Sequence, residues 1–183
     1  VRGSWDAEAA GAKDRRRAGG NWMVIGVRAG AVATVLGALA GVAMHRLRLR
    51  LLPILVLTPI AIPEILMGVS LLIFFVLLNL TLGLVSVALA HVAFCIGFVA
   101  IVVRARLAGM DETLTEAARD CGASPANAFR HVPLPLIMPG VIHGARMAFT
   151  LSVADFLITF FPGGPGTFTL PLATYPRLTR SST

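Results

Sequence analysis

Apolar residues in this chain come in runs long enough to cross a bilayer, and that arrangement limits its fold more than any other feature. From Met23 to Met44 the only charge is Arg28. At a rise of 1.5 Å per residue this stretch is about 33 Å long, against a hydrocarbon core of about 30 Å. Leu51 to Leu78 carries Glu64 alone, Leu84 to Val103 carries no charge apart from a proton on His91, and Val141 to Phe161 holds His143, Arg146 and Asp155. The reading is an all-α, polytopic membrane protein with spans near 23–44, 51–78, 84–103 and 141–161.

The second span is expected to be irregular. Pro53, Pro59 and Pro63 crowd its first half, and each removes a backbone donor, so the segment should kink or partly unwind. Such breaks are tolerated at membrane depth where the backbone faces protein or a wet cavity. Residues 79–83 form a short uncharged turn. Residues 1–21, polar and rich in Gly, Ala and Arg with no apolar core to fold, are read as a disordered or non-native leader; Gly19, Gly20 and Asn21 interrupt the basic group before the apolar run, unlike a signal peptide. The tail from Thr167 has an apolar patch but no further span, and 179–183 is left as its end.

Composition matters chiefly for what it excludes. Hydrophobic residues make up 56% of the chain and charged ones 14%, unlike a soluble domain. The net charge of +7 does not indicate nucleic acid, since aromatic interleaving for base stacking is absent. Its basic groups fall instead at Arg15–Arg17, at Arg46, Arg48 and Arg50, and at Arg104 and Arg106. The last two groups end apolar runs, which puts the 45–50 and 104–140 connections in the cytoplasm and the 79–83 turn outside. That topology makes residues 1–22 external, against the Arg15–Arg17 run. Cys95 and Cys121 have no ligand-spaced partners and read as small buried residues.

The polar connection 107–140 is too regular for a passive linker. Thr113 and Glu116 fit a capping box. Leu114, Ala117, Ala118 and Cys121 then fall on one face of a short helix, with Gly122 placed for a left-handed C-terminal cap. Ser124 and Pro125 suit the start of a second helix, and Pro133, Pro135 and Pro139 are expected to end regular structure. The small face at Ala117 and Ala118 allows close approach of a partner, or equally of the protein's own bundle.

The run Glu116-Ala117-Ala118-Arg119-Asp120-Cys121-Gly122-Ala123-Ser124, continuing through Phe129 to Leu134-Pro135-Leu136-Ile137-Met138-Pro139-Gly140, resembles the EAA loop of binding-protein-dependent ABC importer permeases. Four further stretches resemble the spermidine/putrescine branch of that family: Pro63-Glu64 with Gly68–Leu72, His91–Cys95, Phe149–Asp155, and Gly164–Gly166 with Thr169–Leu172. Branches importing thiamine, iron, sulfate or phosphonate share the loop. The sequence departs from the family's pattern at Cys121, where leucine is usual, and at Ala154-Asp155, where polyamine permeases often pair two aspartates.

The resemblance implies a six-helix fold of which residues 22–178 supply four spans, the first and last being missing, in the bacterial inner membrane. It implies that Glu116, Ala117, Ala118, Gly122, Ala123, Phe129, Pro135 and Pro139 form the cytoplasmic coupling element. That element would dock on an ATP-binding subunit dimer, with ATP and Mg on that partner and no cofactor in this chain. A second permease and a periplasmic or extracellular solute-binding protein complete the expected assembly.

Charges at membrane depth cost about 2.5–3.5 kcal/mol on insertion scales. Glu64 and Asp155 are therefore candidates for a solute path, the alternative being ion pairs with Arg146 or Arg28. His91 is a third candidate, as a gate or as a neutral hydrogen-bonding residue between helices. No phosphate loop, nucleophile triad or metal motif is present in the sequence, so catalysis and metal binding are not expected. An ion-coupled secondary transporter and a fragment that never assembles are the rival readings.

Overall fold

The computed structural model describes residues 2–47 and 50–163, which form helices and turns with no strand among them. The elements are α1 (Arg2–Arg46), α2 (Leu51–Ala61), α3 (Glu64–Leu77), α4 (Leu84–Ala108), α5 (Thr113–Asp120), α6 (Pro125–His131), α7 (Pro133–Ala154) and α8 (Leu157–Phe160). Three are long and apolar enough to cross a bilayer: Trp22–Arg46 within α1, then α4 and α7. The expected second span is a bent pair, α2 and α3 meeting at 113°.

The bend has a local cause. Pro63 precedes α3 with φ −54° and ψ 137°, and Ile62 before it is extended at φ −85° and ψ 133°. A residue preceding proline is pushed out of the helical region, so α2 stops there. Pro53 lies in the first turn of α2, where it costs little, and Pro59 is in its interior.

Four expectations about boundaries change. The 1–21 stretch, expected to be a disordered or non-native leader, is helical from Arg2, which removes the disordered alternative. It has no proline, and alanine and arginine favour helix. α4 continues past Val103 through Arg104 and Arg106 to Ala108. α7 begins at Pro133, inside the expected loop 107–140, so Pro133 and Pro135 start regular structure instead of ending it. Their missing amides belong to the first turn, whose donors have no intrahelical partner in any case. Only Pro139 is interior, and it deprives the Pro135 carbonyl of its helical donor. Finally α7 stops at Ala154, not Phe161, and a separate turn of helix follows.

The core is the seam of α1, α4 and α7, with Val99, Val103, Leu107, Ile137 and Ala148 among its buried residues. Glycines permit the close approach. A β-carbon at Gly37 would stand 2.6 Å from the Val99 β-carbon, and one at Gly41 would stand 2.8 Å from the Ala100 carbonyl. This G-x-x-x-G face seats α1 against α4. Gly26 and Gly30, another such pair, face Phe149 and Val153 of α7.

These contacts fix direction. Gly37 and Gly41 meet Val99 and Val103 in the same order, so α1 and α4 run parallel. Gly140 and Gly144 meet Arg106 and Val99 in the opposite order, so α7 is antiparallel to both. Arg46, Ala108 and Pro133 therefore share one end of the bundle, where the charge pattern puts the cytoplasm. At the other end the Trp22 indole donates to the Val153 carbonyl at 2.7 Å.

Candidate functional site

Two features could carry function: the α5–α6 element at the basic end of the bundle, and a buried polar cluster where α4, α7 and α8 meet. The first is set by its caps. The expected Thr113–Glu116 box does not form. Instead the Asp111 carboxylate accepts the Thr113 amide at 3.0 Å, capping α5 from two residues upstream. Hydrogen bonds from the Thr113 side chain and backbone hold the Asp111 carboxyl below its ordinary range.

The far end of α5 closes as the sequence predicts. Gly122 has φ +88°. Its amide donates to the Arg119 carbonyl at 2.9 Å and the Ala123 amide to that of Ala118 at 3.1 Å. Those two bonds make a Schellman cap, whose left-handed residue glycine adopts without a Cβ penalty. The next helix starts at once: Ser124 accepts from the Asn127 amide at 3.4 Å, and Pro125 takes the first position of α6. From His131, α6 passes through Val132 directly into α7.

α5 buries none of its residues. Leu114 is 50% exposed, Ala117 and Cys121 are exposed and Ala118 is half-buried. The small apolar face does not pack on the chain's own bundle. Cys121, expected to be buried, is exposed for that reason, while Cys95 is buried and both are free. Glu116 is exposed and lines a cleft of about 350 Å³ with His45, Arg46, Met110, Glu112 and Arg119. Ala123 and Phe129 are half-buried. Pro135 and Pro139 lie on exposed positions in the first two turns of α7, not in the α5–α6 element itself.

At the second feature His91 is fully buried, with Nε2 3.0 Å from the Thr159 hydroxyl. Thr159 donates in turn to the Asp155 carbonyl at 3.3 Å. The Asp155 carboxylate accepts the Ile158 amide at 2.7 Å, so it caps α8. Next to this chain, the Ser86 hydroxyl stands 2.8 Å from the Pro162 carbonyl, fastening the α8 turn to the start of α4. His91 and Asp155 are thus brought together through Thr159. Glu64 is not joined to them by any hydrogen bond. It is exposed in the first turn of α3, beside the α2–α3 break.

No carboxylate among the described residues lies within ion-pair distance of Arg28 or Arg146; the one pair found there is His45 with Glu112 at 3.8 Å. Sequence reasoning missed Thr159 and Ser152. Thr159 stands four residues after Asp155, and a buried histidine requires a partner, which is the available signal. Ser152 Oγ and His91 Nδ1 are buried without hydrogen-bond partners. The motif stretches from Gly164 to Leu172 lie outside the described residues.

Residues 33–179 match the family model for the binding-protein-dependent transport system inner membrane component. The chain is 37% identical over 163 residues to the putrescine transport system permease protein PotI of Escherichia coli K12, covering 84% of this chain and 58% of that protein. It is 40% identical over 146 residues to the spermidine/putrescine transport system permease protein PotC of the same strain, covering 78% and 55%. A shorter match, 38% over 71 residues, reaches the inner membrane ABC transporter permease protein YdcU, covering 39% and 23%. The chain spans a little over half the length of the first two.

Proposed function

Because the chain belongs to the family of binding-protein-dependent transport system inner membrane components, we propose that it is the permease subunit of an ATP-driven importer in which α5 is gripped by a separate ATPase. The family is one of transport components, not of enzymes, and its place is the inner membrane. One observation carries the proposal. α5 is capped at both ends, is joined to a spanning helix through α6, and leaves Leu114, Ala117 and Cys121 of its apolar face exposed. A helix that buries nothing of its own is poorly explained as part of the bundle. It is well explained as a surface for a partner that approaches closely over Ala117 and Ala118.

The partners are an ATP-binding subunit dimer that holds ATP and Mg, a second permease and an external solute-binding protein. Closure of the ATPases displaces α5–α6, and α7, joined to α6 through a single residue, carries the movement into the bilayer. Polyamines are the proposed solute, supported by the two relatives named for putrescine and spermidine transport. Glu64 is the strongest pathway carboxylate, since it is exposed at a break in the helix, whereas Asp155 and His91 hydrogen-bond within the chain.

A photo-crosslinking residue at Ala117, in the complete protein in membranes, tests the docking. It should trap the ATPase subunit. Adducts formed only within the chain would refute the docking reading.

A further inference from the structure

We infer that Arg46, the last residue of α1, is a positioning residue that seats the α5–α6 element by stacking on Phe129; the inference rests on the coupling role proposed above. The Arg46 guanidinium carbon lies 4.7 Å from the centre of the Phe129 ring, within cation–π range. Phe129 is on α6 and is half-buried. Its neighbour Ala128 is the one buried residue of that helix. One residue before Arg46, the His45 ring is 3.8 Å from the exposed Glu112 carboxylate at the start of α5. The last turn of α1 thus touches the element at both of its helices.

The contact matters because the element has little other hold on the bundle. α5 buries nothing. By chain connection the element hangs from α4 through 109–112 and from α7 through Val132. Arg46 adds α1 as a third point, reached across 83 positions of sequence. Three separated attachments define the orientation of a rigid body, whereas two leave it free to rotate about the line between them. α1 is itself fixed along α4 by Gly37 and Gly41 and along α7 by Gly26 and Gly30. A push on α5–α6 therefore enters all three helices of the core together.

Arg46 has a simpler role available. A cation at a helix C-terminus favours the dipole and, on the cytoplasmic side, helps set orientation in the membrane. That role is indifferent to Phe129, and the difference makes the test. Arg46→Gln, Phe129→Leu, the double variant and Phe129→Tyr are made in the complete protein. Each is assembled with its ATPase, second permease and solute-binding protein in proteoliposomes. Radiolabelled putrescine taken up per ATP hydrolysed is measured at matched membrane level.

Each of the first two variants should lower that ratio, roughly twofold to fivefold for one such contact. The double variant should be no worse than either, and Phe129→Tyr, which keeps the ring face, should stay near the unaltered protein. Single effects that multiply in the double variant, or a Phe129→Leu protein with an unchanged ratio, overturn the inference. The Ala117 crosslink is read separately on the unaltered protein. The docking reading can thus fail there without the cycle deciding it, and the cycle can fail while the crosslink forms.

Discussion

Gly122 is the residue on which the shape of the α5–α6 turn depends most. At φ +88° an L side chain costs about 1–2 kcal/mol, so Gly122→Val should open the Schellman cap and let α5 rotate relative to α6. Uptake by the complete protein should be lost while its membrane level is unchanged, as read by transport assay and membrane immunoblot. Normal uptake would argue against a defined α5 orientation. The other end of α5 depends on Asp111. A carboxyl whose folded pKa is depressed contributes stability above its unfolded value of about 3.9, and that contribution is lost as pH falls through the lowered folded value. Hydrogen exchange at the Thr113 amide, corrected for its intrinsic rate, should be steady from about pH 7 to 5 and should quicken below about 4. Exchange that accelerates already at pH 6 would mean that another group holds the turn. In the sequence, Thr113 and Asp111 are both competent caps two residues apart. The choice between them depends on where the chain leaves α4, which no local pattern states.

Among the helices, α1 shows most clearly how small residues substitute for a hydrophobic driving force within lipid. Its G-x-x-x-G pair at 37 and 41 lets backbone meet backbone at α4. Gly37→Leu would push a branched side chain onto the Ile96 carbonyl, 2.8 Å from a β-carbon there, at a cost of about 1–3 kcal/mol for overpacking. The variant in detergent should aggregate at lower temperature than the parent, and an unchanged midpoint would mean that α1 and α4 separate easily. Two other helices show where reading by hydropathy stops. The prolines of 53–63 announced an irregular second span, and the break falls at Pro63 with its extended predecessor. The prolines of 133–139 look similar in the sequence but begin α7. What separates the cases is position within the helix, and position depends on which carbonyls the bundle leaves to be satisfied.

Taken whole, the molecule puts both basic connections at one end and the Trp22–Val153 bond at the other. Its two free cysteines report on that arrangement, because Cys121 is exposed at the basic end and Cys95 is buried in the α4–α7 seam. A membrane-impermeant maleimide should label Cys121 in inside-out vesicles that lack the ATPase and should spare Cys95 until the membrane is dissolved in denaturant. Labelling of Cys121 in right-side-out vesicles instead would invert the topology. The long apolar runs, the basic ends of two of them, and the caps at Gly122 and Ser124 were legible from the chain alone. Span length, charge asymmetry and left-handed turns are dictated by residues close together in the sequence. The burial of His91 against Thr159, the use of Asp155 to cap α8, the uncovered face of α5 and the meeting of Arg46 with Phe129 came only with the tertiary structure. Each joins groups from different elements, or turns on what is left unburied after packing. No residue type or spacing encodes those outcomes until the helices have chosen their neighbours.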